Sequence, residues 1–166
     1  ALDLVAADGV SGVEGVEAER TELIAQLGEN IVVVGAARYE GGVQAAYVHP
    51  PANKIGVLVQ LDGGTPELAR QLAMHISFAA PDYATRDDVP TEVVEAERQI
   101  YLNSDEVRSK PEAAREKIVD GMLGKRFFAA APGGVLVDQA WIHDASTTVG
   151  KALADAGATV GAFTRI

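Results

Sequence analysis

Three histidines, His49, His75 and His143, are the side chains through which this 166-residue chain could move protons or hold a metal near neutral pH. They stand far apart in sequence, with no HExxH pair or other recognised ligand spacing. His143 is followed directly by Asp144, but adjacent residues need not converge their side chains. Cysteine is absent, which removes thiolate chemistry, disulfides and every Cys-based zinc or iron–sulfur site. The run Ser146-Thr147-Thr148-Val149-Gly150-Lys151 has the residue types of a phosphate loop in the reverse order of GxxxxGK[ST]. No Gly-rich strand-to-helix turn precedes it, so it reads as a helix start. Gly121, Gly124 and Lys125 fail the same pattern, and Gly41-Gly42 and Gly63-Gly64 are turn glycines first. The carboxylates scatter over helix surfaces. No catalytic constellation and no metal ligand set emerge, so the chain reads as a non-enzyme.

The composition sets the class. With 48% hydrophobic and 23% charged residues, the chain can bury a core, unlike a disordered tail. No run approaches the ~20 apolar residues that cross a bilayer, so no membrane partner is expected. Against 14 basic side chains stand 24 acidic ones, and the net charge of −10 opposes direct nucleic-acid binding, which needs clustered Lys and Arg. The start, ALDLVAADGV, is neither an initiator Met nor a signal peptide, and reads as a longer protein trimmed at the front.

The elements follow from periodicity. Ser11-Gly12-Val13-Glu14 matches a capping box, and Leu23, Ile24 and Leu27 give one apolar helix face ending near Gly28. Three strands are then expected as an antiparallel meander: Ile31 to Val34, Val43 to Val48 across the Glu40-Gly41-Gly42 turn, and Ile55 to Leu61. In the last, Ile55, Val57, Val59 and Leu61 share a face. Thr65-Pro66-Glu67 opens a helix whose core stripe is Leu68, Leu72, Ala73, Ile76 and Ala79. Met74, His75 and Phe78 form a second, narrower face beside Gln71. Beyond Pro81, two helical patterns at 91–103 and 111–130 suit an antiparallel hairpin, with Val93 and Ile100 facing Ala114, Ile118, Val119, Met122 and Leu123. Ser109-Lys110-Pro111-Glu112 matches a second capping box. Val135 to Ile142 reads as mostly extended, Val149 to Ala156 as a short helix and Thr159 to Ile166 as a final strand. The expected organisation is 1–64 (helix plus meander), 65–90 (connecting helix and linker), 91–131 (hairpin) and 132–166 (C-terminal core). The fold class is α+β, with two small antiparallel sheets, packed helices and a protruding helical hairpin.

Several motifs are specific. His75-Ile76-Ser77-Phe78-Ala79-Ala80-Pro81 is followed by Asp88-Val89-Pro90-Thr91-Glu92-Val93-Val94-Glu95-Ala96-Glu97. Further on come Lys110-Pro111-Glu112, Lys117-Ile118-Val119-Asp120-Gly121, and Gln139-Ala140-Trp141-Ile142-His143-Asp144-Ala145-Ser146-Thr147-Thr148-Val149-Gly150. With Gly28-Glu29-Asn30-Ile31 before them, these resemble translation elongation factor Ts in order and spacing over essentially the whole chain.

The resemblance implies a guanine-nucleotide exchange factor that binds the GTPase elongation factor Tu and stabilises its nucleotide-free state. It implies cytoplasmic protein biosynthesis and no cofactor. It maps His75 onto the helix that meets the GTPase, and Met74 and Phe78 join it from their place on the second helix face. It maps Ile142 and His143, with Trp141 beside them, onto a second contact segment, and Gly63 and Gly64 onto a contact turn. Relatives that dimerise through the hairpin or sheets make a homodimer a further expectation. The pattern is broken at the front. The family's ubiquitin-associated-like module and its Thr-Asp-Phe-Val motif do not occur here, and no Phe precedes Phe78. The alternative reading is therefore a docking fragment that binds elongation factor Tu without efficient exchange.

Overall fold

The computed structural model describes residues 2–166, with side chains from Val5 onward. The described residues form seven α-helices and two small antiparallel sheets, the α+β class expected from the sequence. They fall into two compact units, divided after Glu40.

The first unit holds α1 (Leu2–Asp8), a 3-10 segment (Val10–Val16) and α2 (Glu17–Leu27). Gly28 ends α2 with φ 70°, a left-handed conformation that favours glycine. Ser11 caps nothing: its hydroxyl donates to the Asp8 carbonyl, because the chain is already in a helical turn there. The Ile31–Val34 strand does not form. Val32, Val33 and Val34 are exposed and pair with no strand, since β-branching favours an extended backbone without naming its partner.

In the second unit, β1 (Val43–Val48) and β2 (Gly56–Gly63) pair antiparallel as expected. The third strand comes from the far end of the chain: β5 (Ala158–Arg165) pairs along the other side of β2, giving the order β1-β2-β5. Alternation along β2 buries Val57, Val59 and Leu61 against α3 (Pro66–Ala79), whose Ala69, Leu72, Ala73 and Ile76 are inaccessible to solvent. Thr65 caps α3 by accepting the Leu68 N–H at 3.2 Å, and Pro66 stands where its missing N–H costs nothing. Leu136, Trp141, Val149 and Leu153 complete this core, from the 3-10 turn Leu136–Asp138, β3 (Ala140–Trp141) and α7 (Val149–Asp155). β3 pairs with β4 (Asp144–Thr148), and Thr148 caps α7. The stretch 135–142 is thus part 3-10 turn, not one extended run.

The hairpin comprises α4 (Thr91–Leu102), a short α5 (Asp105–Arg108) in the turn, and α6 (Glu112–Met122) continued by a π-helical segment to Phe128. It carries its own cluster, in which Val107, Val119, Met122 and Leu123 pack with Tyr101, Leu102, Ile118, Phe127 and Phe128. Arg98 on α4 reaches Glu116 and Asp120 on α6. Ile100 is 61% exposed, and Tyr101 and Leu102 take the inward positions, because the α5 turn draws the end of α4 round toward Val107. Ser109 does not cap α6; its hydroxyl bonds the Glu106 carbonyl as α5 ends, and Pro111 occupies the cap position. Val119→Ala is expected to cost about 1.5 kcal/mol in a urea melt, a typical loss for two buried methyl groups. An unchanged midpoint would show that this cluster contributes nothing to stability.

Candidate functional site

The end of α3 and the β3–β4 turn meet beside the sheet. Along α3, His75 is fully buried while Phe78, three residues on, is 77% exposed and Met74 is half-buried. The second helix face read from the sequence therefore divides: Met74 and Phe78 look outward, and His75 turns into the core.

An open groove of about 510 Å³ runs past Met74, Ser77 and Phe78. Tyr47, His49 and Ile55 line it from β1 and the turn into β2, Ile142 from the β3–β4 turn, and Arg165 from the end of β5. Apolar surface dominates this lining, and Ile142 is 40% exposed. Arg165 brings a cation; its Nε lies 3.5 Å from the Ser77 carbonyl. On a chain of net charge −10, a cation beside exposed Phe78 and Ile142 and half-buried Met74 is distinctive, and Arg, Phe and Met are enriched at protein interfaces.

His75 sits directly behind the groove. Its Nε2 is 2.9 Å from Gln139 Oε1, and its Nδ1 is 3.4 Å from the Ile142 backbone nitrogen. Its ring stacks on Trp141 at 5.3 Å between centroids, and Trp141 meets the His143 ring edge-on at 4.7 Å. His143 Nε2 lies 3.1 Å from the Gln71 carbonyl on α3. Gln139 is itself fully buried, and its amide nitrogen donates to the Ala130 carbonyl at 2.8 Å and to that of Gly133.

Burial holds the His75 imidazole below the ordinary histidine pKa; the Gln139 hydrogen bond opposes that shift, and the neighbouring His143 adds to it. Below the unfolded pKa of about 6.5, the unfolded chain takes up a proton that folded His75 resists, so stability falls as pH drops. The contribution is complete above about 6.5 and is lost toward the lower folded value, with a slope of at most ~1.4 kcal/mol per pH unit. Urea midpoints at pH 7.5 and 5.5 should therefore differ more for the natural chain than for His75→Asn. Equal differences would show that folding does not lower the His75 pKa.

Six of the eight residues singled out in the sequence come together here: Met74, Phe78, Ile142 and His143 outside, His75 and buried Trp141 behind them. Gly63 and Gly64 do not. They lie before α3, at the end opposite Phe78, about 20 Å away along a 14-residue helix. Their geometry has a structural cause. Gly63 has φ 83°, and a Cβ there would stand 2.4 Å from the Gly157 carbonyl oxygen. Gly63→Ala is expected to cost about 2 kcal/mol in the same urea assay, the scale of a forced backbone conformation.

Sequence reading missed Tyr47, His49, Ile55, Arg165 and the role of Gln139. Tyr47 and Ile55 carried only a strand alternation, and Arg165 stood in a strand with no marker of its own. Among the described residues, no group of three or more His, Cys, Asp or Glu is placed to hold a metal. No described helix is long and apolar enough to cross a membrane.

Comparison with known proteins gives one family. The family model described as "Elongation factor TS" matches residues 2–166. Elongation factor Ts of Streptomyces griseus is 39% identical over 99% of this chain and 59% of its own length. That of Hahella chejuensis is 40% identical over 99% of the chain and 56% of its own length. That of Kineococcus radiotolerans is 42% identical over 87% of the chain and 52% of its own length. The chain thus spans between half and three fifths of these relatives. With its motifs, α+β fold and family match in agreement, this chain belongs to the elongation factor Ts family.

Proposed function

We propose that this chain docks on elongation factor Tu through the groove between α3, the β3–β4 turn and the sheet edge, and that in the whole protein it promotes GDP release. The observation that carries the docking reading is the apolar groove surface of exposed Phe78 and Ile142 with half-buried Met74, in a chain of this family. A monomeric acidic domain gains nothing by exposing such side chains together, whereas an interface anchor needs them. Burial makes His75 and Trp141 supports for this surface, with Met74, Phe78, Ile142 and His143 as its contact residues. Gly63 and Gly64 act through the backbone path between β2 and α3.

Exchange follows from linkage. A partner that binds the empty GTPase more tightly than the GDP form lowers GDP affinity by that same factor. No bond is made or broken, so this role requires no catalytic residue and no cofactor. The cytoplasm is the compartment in which translation supplies the partner.

The second reading is docking on elongation factor Tu without efficient exchange. Release of fluorescent GDP from elongation factor Tu, with this chain titrated in, separates the two. Accelerated and saturating release supports exchange by the core alone. Binding without acceleration supports the docking reading, and neither binding nor acceleration overturns both.

A further inference from the structure

We infer that His75 and Gln139 are positioning residues for the groove: Gln139 fixes the imidazole so that Nδ1 accepts the Ile142 N–H, and this sets the Ile142–His143 segment in its binding geometry. The inference rests on the docking reading and assigns the buried residues behind it.

The orientation of Gln139 is decided by its surroundings. Its amide nitrogen faces the carbonyls of Ala130 and Gly133, which can only accept, so Oε1 faces His75. An acceptor at 2.9 Å from Nε2 requires the proton on that nitrogen. A neutral imidazole has one N–H, so Nδ1 keeps its lone pair, and that lone pair points at the Ile142 N–H. One buried amide thereby selects the tautomer that holds a groove-lining backbone group 67 residues away in sequence from the histidine.

The consequence is local. The Ile142–His143 turn is tied to α3 by the Ile142–His75 bond, by His143 on the Gln71 carbonyl, and by Trp141 stacked on His75. Protonating Nδ1 sets two donors against each other, and removing it leaves the Ile142 N–H without its acceptor; either change releases one of these ties. Ile142 then loses its fixed place beside Met74 and Phe78. The charged or titratable groups around His75 are His143 from the β3–β4 turn, with His49 from the end of β1 and Arg165 from β5 farther along the groove. The 130–133 loop presents only carbonyls to this network.

The test uses the full 166-residue chain and two variants. His75→Phe keeps a ring against Trp141 and removes the acceptor. His75→Asn places an amide oxygen near the Nδ1 position and does not titrate. Nitrogen-15 NMR should show the His75 ring with its proton on Nε2. Affinity for elongation factor Tu at pH 7.5 should fall about tenfold in His75→Phe and less than threefold in His75→Asn. Cooperative melts of all three forms establish that the effect is not unfolding. Should His75→Phe fail to fold, the NMR tautomer of the natural chain decides alone. An Nδ1–H tautomer, or unchanged affinity in folded His75→Phe, overturns the inference. Lack of binding by the natural chain overturns the docking reading and the affinity claim together, and the NMR result separately decides the tautomer.

Discussion

Met74→Ala combined with Phe78→Ala is expected to weaken binding to elongation factor Tu about a hundredfold, with a small change in melting temperature. Phe78 is 77% exposed, so most of its surface is dehydrated only when something covers it. A partner that buries an exposed Phe and its Met neighbour gains apolar contact that alanine cannot replace. Central anchors of this kind cost ~2 kcal/mol or more when truncated, and a hundredfold loss is about 2.7 kcal/mol. Stability should change by less than about 1 kcal/mol, because little of the Phe78 side chain is buried within the chain. Titration calorimetry with purified elongation factor Tu, paired with a thermal melt, reads both quantities. Unchanged affinity in the folded double variant would remove this face from the interface.

Gln139→Leu should have the largest effect on stability of any polar substitution near the groove, about 3 kcal/mol. Leucine fills much of the same volume, so the loss is not a cavity. It comes from what is left behind: the buried Nε2–H of His75 and the part-buried carbonyls of Ala130 and Gly133 all lose a partner. Each buried polar group left unsatisfied costs roughly 1–3 kcal/mol, and partial access of water at the loop reduces the sum. Urea unfolding monitored by Trp141 fluorescence measures it, since that indole stacks on His75. A change below about 1 kcal/mol would mean that water or a local shift replaces Gln139, and that it does not hold the segment together.

The sequence disclosed what depends on local periodicity. The Thr65-Pro66 start of α3, its stop before Pro81, the inward face of β2 and the final strand were all legible, because neighbours in sequence decide them. Pairing over long distances was not. Ile31 to Val34 has the β-branched composition of a strand, yet β5 takes the place beside β2, since propensity says nothing about partner choice. The capping boxes at Ser11 and Ser109 failed for a related reason. A motif of four residues cannot show that the preceding turn is already helical. At the site, α3 periodicity found Met74 and Phe78, and the motif around Trp141 found Ile142 and His143. His75 looked surface-directed from α3 alone. Only the arrival of Gln139 and Trp141 from 64 and 66 positions away turns it into a buried residue, and no helical wheel contains that information.

The most direct measurement is the affinity of this chain for elongation factor Tu in two states, stripped of nucleotide and saturated with GDP. Exchange by stabilising the empty form requires tighter binding to the stripped GTPase, by the same factor by which the chain lowers GDP affinity. A difference of at least tenfold is expected, with binding to both states weakened about a hundredfold by Met74→Ala combined with Phe78→Ala. Equal affinities for the two states would contradict it, because a partner without preference shifts no equilibrium, however tightly it binds.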